Sequence, residues 1–236
     1  MAVSQARASG PRSAYGVVKR GLDAIGAFVL LVPLSVLFLP VIVILACTGE
    51  HAVFYRQRRI GRGGREFGIL KFATMLKDSP NLAGGSLTVR GDPRVLPFGR
   101  FLRASKINEL PQVVNVLIGD MSFVGPRPQV RGDFDHYTPE VQAAVTSVRP
   151  GITGIGSVVF RDEERFLSRP GVDPRAFYGE RIAPYKGALE AWYRDHRSFR
   201  TDVLLLWATA WTIVRPRSEL VFRVFADLPP RPDWWD

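Results

Sequence analysis

The stretch AIGAFVLLVPLSVLFLPVIVILACT, from Ala24 to Thr48, carries no charged side chain and holds two prolines, Pro33 and Pro40. As one helix it would reach about 37 Å, enough to cross a hydrocarbon core of roughly 30 Å. Flanking charge argues against a straight span. Lys19 and Arg20 precede the run, and Arg56, Arg58, Arg59, Arg62 and Arg65 follow it. Both clusters prefer the cytoplasmic side, and a straight helix cannot satisfy both. A helix bent at proline can enter and leave by one leaflet if the backbone groups freed at the kink find partners. The expectation is therefore a re-entrant membrane hairpin over 19–50, with a spanning helix as its rival. A cleaved secretory signal fits less well, because the run is too long and no small-residue cleavage site follows.

After this anchor about 185 residues remain, enough for one domain with its own core, and nothing in them repeats at a fixed period. The 32 Lys and Arg exceed the 22 Asp and Glu to give a net charge of +10, which suits an anionic partner. Nucleic acid is disfavoured: the basic residues are scattered, and no zinc-finger spacing or aromatic RNA-binding motif is present. Anionic membrane lipids and a phosphorylated substrate remain. Cys47 is the sole cysteine, so neither a disulfide framework nor a cysteine zinc site is available.

The pattern predicts an α+β domain over 51–236, mostly helical, with a small β-hairpin sheet. Residues 1–18 read as a basic tail. Val53–Tyr55 and Phe67–Phe72 read as strands joined around Gly61, Arg62, Gly63 and Gly64. Residues 78–99 read as a long loop. Leu110, Val113, Val114, Leu117 and Ile118 recur at helical spacing up to a stop at Gly119. Val203–Val214, with Trp207 and Trp211, reads either as a helix lying in the membrane interface or as a buried core helix.

Three clusters can carry chemistry. In the first, Lys106 to Gln112, Pro111 belongs in a first helical turn, so the helix is expected to start near Asn108. Asn108 would then cap it and Glu109 offset its dipole, together worth about 1 kcal/mol. Alternatively Glu109 stands where a bound phosphate and a divalent cation would meet. In the second, Pro126 and Pro128 hold Arg127 out as a planar fork suited to phosphate oxygens; pairing with Asp120 or a helix end is the structural alternative. In the third, Asp162, Glu163 and Glu164 form either a solvated turn or part of a Mg²⁺ site against a pyrophosphate.

Taken together these segments resemble the bacterial sugar transferases that are monotopic polyprenyl-phosphate phosphoglycosyl transferases. The resemblance rests on the basic pair and bent apolar run, Val53–Gly61, Lys71–Met75, Asp92–Gly99, Asn108–Gln112, Asn115–Pro128 and Arg149–Gly154. It implies a re-entrant helix, an α/β domain on the cytoplasmic face of the bacterial inner membrane, and Mg²⁺ as cofactor. It also implies transfer of a sugar 1-phosphate from a UDP-sugar to polyprenyl (undecaprenyl) phosphate, with release of UMP. By position, Glu109 matches the glutamate that assists the metal-bound diphosphate, with Asp162 and Glu163 as further metal candidates. Lys71 and Arg127 match cations near the substrate phosphates. Asn108 departs from the family: relatives commonly carry a nucleophilic aspartate there, and an amide has no comparable lone pair. Ala73, where many relatives have arginine, is a second departure. Another carboxylate as nucleophile, direct attack by the lipid phosphate, and an inactive membrane scaffold are the alternatives this leaves. A homodimer is compatible with the sequence but not required by it.

Overall fold

A computed structural model describes residues 14–79, 81–82, 88–215 and 218–235. Most of the tail predicted over 1–18, and the middle of the loop predicted over 78–99, lie outside them.

The apolar stretch forms one helix, α1 (Ala14–Cys47), of 34 residues and about 51 Å, with Pro33 and Pro40 inside it. The stretch expected to be re-entrant is one helix carrying both prolines, and residues 14–18 open that helix rather than close a tail. Both prolines lie on its exposed side. Each removes a backbone hydrogen bond there and favours bending toward the opposite side, where the domain sits. The side facing the domain is a stripe at spacings of three and four: Asp23, Ala27, Leu31, Leu34, Phe38, Val41 and Leu45.

β1 (Phe54–Ile60) and β2 (Glu66–Phe72) pair antiparallel, Phe54 opposite Phe72 and Ile60 opposite Glu66. The hairpin is longer than predicted, because the arginine-rich part of β1 is one half-exposed strand rather than part of the turn. α2 (Pro97–Ala104) starts inside the predicted loop. A 3₁₀ turn (Ile107–Glu109) leads to α3 (Gln112–Ile118), and Gly119 stops that helix at φ 101° as its position implied. The predicted start near Asn108 is therefore four residues early. Pro111 has no N–H to bond the Ile107 carbonyl, so Leu110 N donates to it instead, at 3.1 Å, and the tighter turn results.

β3 (Ser122–Val124) is followed by α4 (Arg131–Phe134) and α5 (Pro139–Thr146), and pairs in parallel with β4 (Gly151–Thr153). Glycine at 125, 151 and 154 is steric: a Cβ at Gly151 would stand 2.2 Å from the Gly125 nitrogen, and one at Gly154 would stand 2.1 Å from the Gly125 oxygen. α6 (Ile155–Val159), α7 (Glu164–Leu167), α8 (Pro174–Phe177), α9 (Ala183–His196), α10 (Phe199–Val214) and α11 (Leu220–Val224) complete the fold. Their core gathers Ile155, Phe166, Ile182, Leu189, Tyr193 and Leu205. α10 buries Thr201, Asp202, Leu205, Ala208 and Thr212 and turns Trp207 outward at 48% exposure, which excludes the fully buried reading.

Polar contacts fasten the start of α1. Asp202 accepts hydrogen bonds from Tyr15 at 2.8 Å, Lys19 at 2.5 Å and Tyr193 at 2.7 Å. Arg20 donates to the Val116 and Leu117 carbonyls at the end of α3, both at 2.6 Å. Asp202→Ala leaves the partly buried Lys19 ammonium without its partner. It should destabilise the fold by about 3 kcal/mol or more, read as a lower midpoint of thermal unfolding in detergent, with Asp202→Asn intermediate.

Candidate active site

Lys71 comes from β2, Glu109 from the 3₁₀ turn and Arg127 from the proline-flanked loop after β3. They meet at one carboxylate. Arg127 Nη2 donates to Glu109 Oε1 at 2.8 Å and Nη1 to Oε2 at 3.3 Å, while Lys71 Nζ lies 3.7 Å from Oε1. The fork is the geometry guanidinium favours for carboxylate and phosphate alike. Arg127 thus pairs with Glu109, not with Asp120 or a helix end.

Two features bring β2 and the 3₁₀ turn together. Asn115 on α3 accepts from Leu70 N at 2.9 Å and donates to the Gly68 carbonyl at 2.8 Å, pairing with the free edge of β2 as a strand would. The loop carrying Arg127 is clamped at successive backbone atoms. Arg127 N donates to Glu190 at 3.3 Å, Gln129 donates to the Arg127 carbonyl at 3.1 Å, and Arg59 donates to the Pro128 carbonyl at 3.1 Å. Little rotational freedom is left to the loop.

Electrostatics follow from burial. Burial alone would raise the Glu109 carboxyl, but Arg127, Lys71 and Lys106 together hold it well below the usual carboxylate range. Burial brings the Lys71 ammonium down to about 7, with Arg59, Arg127 and Arg103 adding to the effect and Glu109 opposing it. Burial raises Glu190, only 2% exposed, to about 7, against the Arg127 backbone N–H and the nearby Lys186 and Arg127 charges. Arg161, also lowered by burial, faces Glu109. Lys71, Lys106, Arg127 and Arg161 all bear on Glu109, while Glu163 and Glu190 bear on Arg127 from farther off, and the surplus of positive charge around Glu109 is a place for an anion.

The acidic run is not a solvated turn. Asp162 accepts from Arg90 Nη2 at 3.0 and 2.7 Å, Glu163 pairs with Lys186 on α9, and Glu164 with Arg103 on α2 at 3.3 Å. Three acids thus reach three elements and clasp the domain. Glu163 is also within electrostatic range of Arg127, whereas both Asp162 oxygens accept from one nitrogen of Arg90. Asn108, next to Glu109 in sequence, is buried, and its Oδ1 has no hydrogen-bond partner among the described residues. Among the described residues no group of three His, Cys, Asp or Glu is arranged to hold a metal ion. Sequence reasoning missed Glu190, Arg59 and Asn115. Each lies on a different element from the residue it supports, and only Asn115, a polar residue amid the apolar run of α3, left a trace.

The profile described as bacterial sugar transferase matches residues 14–216. A UDP-glucose:undecaprenyl-phosphate glucose-1-phosphate transferase of Caulobacter vibrioides is 41% identical over 195 residues, covering 78% of this chain and 68% of that protein. A UDP-N-acetylgalactosamine-undecaprenyl-phosphate N-acetylgalactosaminephosphotransferase of Aeromonas hydrophila is 38% identical, covering 63% of this chain but only 36% of that protein. An exopolysaccharide production protein of Sinorhizobium fredii is 35% identical, covering 67% of this chain and 76% of that protein. With its family profile matched from the first described helix to the end of α10, and the Lys71, Glu109 and Arg127 cluster at its centre, this chain belongs to the bacterial sugar transferase family.

Proposed function

We propose that the protein transfers a sugar 1-phosphate from a UDP-sugar to undecaprenyl phosphate, releasing UMP, as the first step in assembling a polysaccharide or glycoconjugate. The observation that carries this reading is the Lys71–Glu109–Arg127 cluster, whose surplus cations suit a diphosphate, in a chain whose relatives are named for that transfer. An inactive scaffold is not favoured by those relatives.

The reaction joins an oxygen of the lipid phosphate to the β-phosphorus of the donor and breaks the bond from that phosphorus to the oxygen bridging the α-phosphate. UMP leaves with the electron pair. Arg127 and Lys71 hold the phosphoryl oxygens and offset charge that grows on them, the main protein contribution to such transfers. Asn108 offers no nucleophile. Glu109 is held in the Arg127 fork, and Asp162, Glu163 and Glu164 are each ion-paired. Direct attack by the lipid phosphate is therefore the favoured route. Asn108 and Ala73, both buried, together remove one charge of each sign relative to the family pattern, so the balance of the site is kept.

A Mg²⁺ ion commonly takes one or two carboxylates plus substrate phosphates; Glu109 could be its protein ligand only where a bound diphosphate draws Arg127 and Lys71 off the carboxylate oxygens. Such an ion would neutralise diphosphate charge. Asp162 and Glu163 fit less well, being engaged by Arg90 and Lys186.

The outer side of α1, with Ile25, Phe28, Val32, Val36, Leu39 and Val43 exposed, supports membrane attachment, as do Trp207 and Trp211 on α10. The inner stripe of α1 is covered by the domain from Asp23 to Leu45, and both flanks are basic. This supports a re-entrant placement on the cytoplasmic face of the inner membrane, with the site at the depth of the lipid phosphates.

Purified protein given undecaprenyl phosphate, Mg²⁺ and a panel of UDP-sugars should release UMP from at least one donor; release from none overturns the assignment. Glu109→Gln should lower kcat by about 100-fold or more without loss of membrane attachment. Labelled UMP should not exchange into the donor when lipid acceptor is omitted, and Asn108→Asp should introduce that exchange; exchange in the unmodified protein would instead establish a covalent route. Lys71 is charged below about 7 when folded but up to 10.5 when unfolded, so over that window the folded chain binds fewer protons and its stability rises with pH. Donor affinity should move the other way, weakening as pH rises through about 7 because a neutral amine cannot pair with phosphate, and Lys71→Arg should shift that decline upward in the pH profile of kcat/KM.

A further inference from the structure

Lys106 is one of two non-glycine residues with positive φ among those described, at φ 61° and ψ 11°. It follows Ser105, the C-cap of α2, and so occupies the left-handed position that usually goes to glycine. The turn is locked from both sides: Lys106 N donates to the Arg103 carbonyl at 3.2 Å, and the Lys106 carbonyl accepts from Glu109 N at 3.1 Å. A long cationic side chain is thus kept where the backbone favours none, directly before the turn that carries Glu109. Strain of this kind tends to collect at functional sites.

Lys106 is partly buried, and among the described residues its ammonium makes neither an ion pair nor a hydrogen bond. Glu109 faces it, yet both oxygens of that carboxylate are already engaged by Arg127 and Lys71. The other charges facing Lys106 are Arg127, Arg161 and Arg103, all of its own sign. A partly buried cation among like charges is costly unless an anion joins it. The plain alternative is that Lys106 only complements the negative end of the α2 dipole.

We infer that Lys106 is a further substrate-binding residue, supplying a hydrogen-bonded cation to the phosphate oxygens of a diphosphate ligand. This rests on the transferase reading above and extends it to the residue that opens the 3₁₀ turn carrying Glu109. The anion would complete a ring in which Lys71, Arg127 and Lys106 come from three segments.

Lys106→Gly separates the two roles, because glycine relieves the backbone while deleting the charge. Inorganic pyrophosphate serves as the probe, its dissociation constant measured by calorimetry alongside the KM for the UDP-sugar and the Tm. The expected result is an unchanged or higher Tm, with Kd and KM each raised about 10-fold or more, the usual size of a lost charge-assisted contact. Lys106→Arg should stay within about 3-fold of the unmodified protein, because it keeps the charge. Kd and KM unchanged in Lys106→Gly would overturn the inference whatever the Tm, and a Tm lowered at the same time would leave Lys106 as a helix-end cation. Failure of the unmodified protein to release UMP would instead overturn the transferase reading, while the calorimetric comparison would still report on whether Lys106 binds phosphate.

Discussion

A carboxylate removed from water is tolerable only when cations and hydrogen-bond donors replace its hydration, and Glu109 imposes that condition on three separate segments. β2 must bring Lys71, the loop after β3 must bring Arg127, and the 3₁₀ turn must hold the carboxylate between them. The remaining devices serve this meeting. Asn115 ties α3 to the edge of β2, glycines 125, 151 and 154 let two backbones approach, and Glu190 with Arg59 fixes the Arg127 loop. The arrangement keeps more positive than negative charge, and a phosphate-bearing ligand can draw on the surplus. It has the form of a preorganised site: the guanidinium and ammonium are already aimed, so little rearrangement is needed when a charged group arrives.

The second constraint is the covering of α1. A helix with no charge over its apolar stretch has no polar face to offer water, yet only one stripe of it is taken up by the domain. The stripe is continuous from Asp23 to Leu45, so the domain accompanies the helix along its length. Arg20 and Lys19 fasten one end through the α3 carbonyls and Asp202. The outer side remains apolar and, with the exposed indoles of α10, forms a surface suited to lipid. Chemistry between a water-soluble donor and a lipid-borne acceptor requires a site held at such a boundary.

Much of this was legible in the chain before the structure. The apolar run, the hairpin around Gly63 and Gly64, the stop at Gly119, and the candidacy of Glu109 and Arg127 rest on local chemistry: missing charge, turn glycines, a carboxylate at a helix start and a cation set out by prolines; Lys71 came only from the resemblance to the sugar transferases. The misses share a cause. Asp162, Glu163 and Glu164 look like a solvated run because their partners Arg90, Lys186 and Arg103 lie far away in sequence. Asp202, just outside the helix read over Val203–Val214, drew no notice in the sequence, although Tyr15, Lys19 and Tyr193 all converge on it.

The sequence by itself determined the membrane-seeking helix, the class of the domain and the residue types able to handle phosphate, because these follow from hydropathy, spacing and side-chain chemistry within short windows. Tertiary structure alone decided that Arg127 grips Glu109, that Lys71 is buried far enough to titrate near neutrality, and that the acidic run is a clasp. Pairing and desolvation are properties of what surrounds a charge, and those surroundings are assembled from segments that meet only when the chain folds.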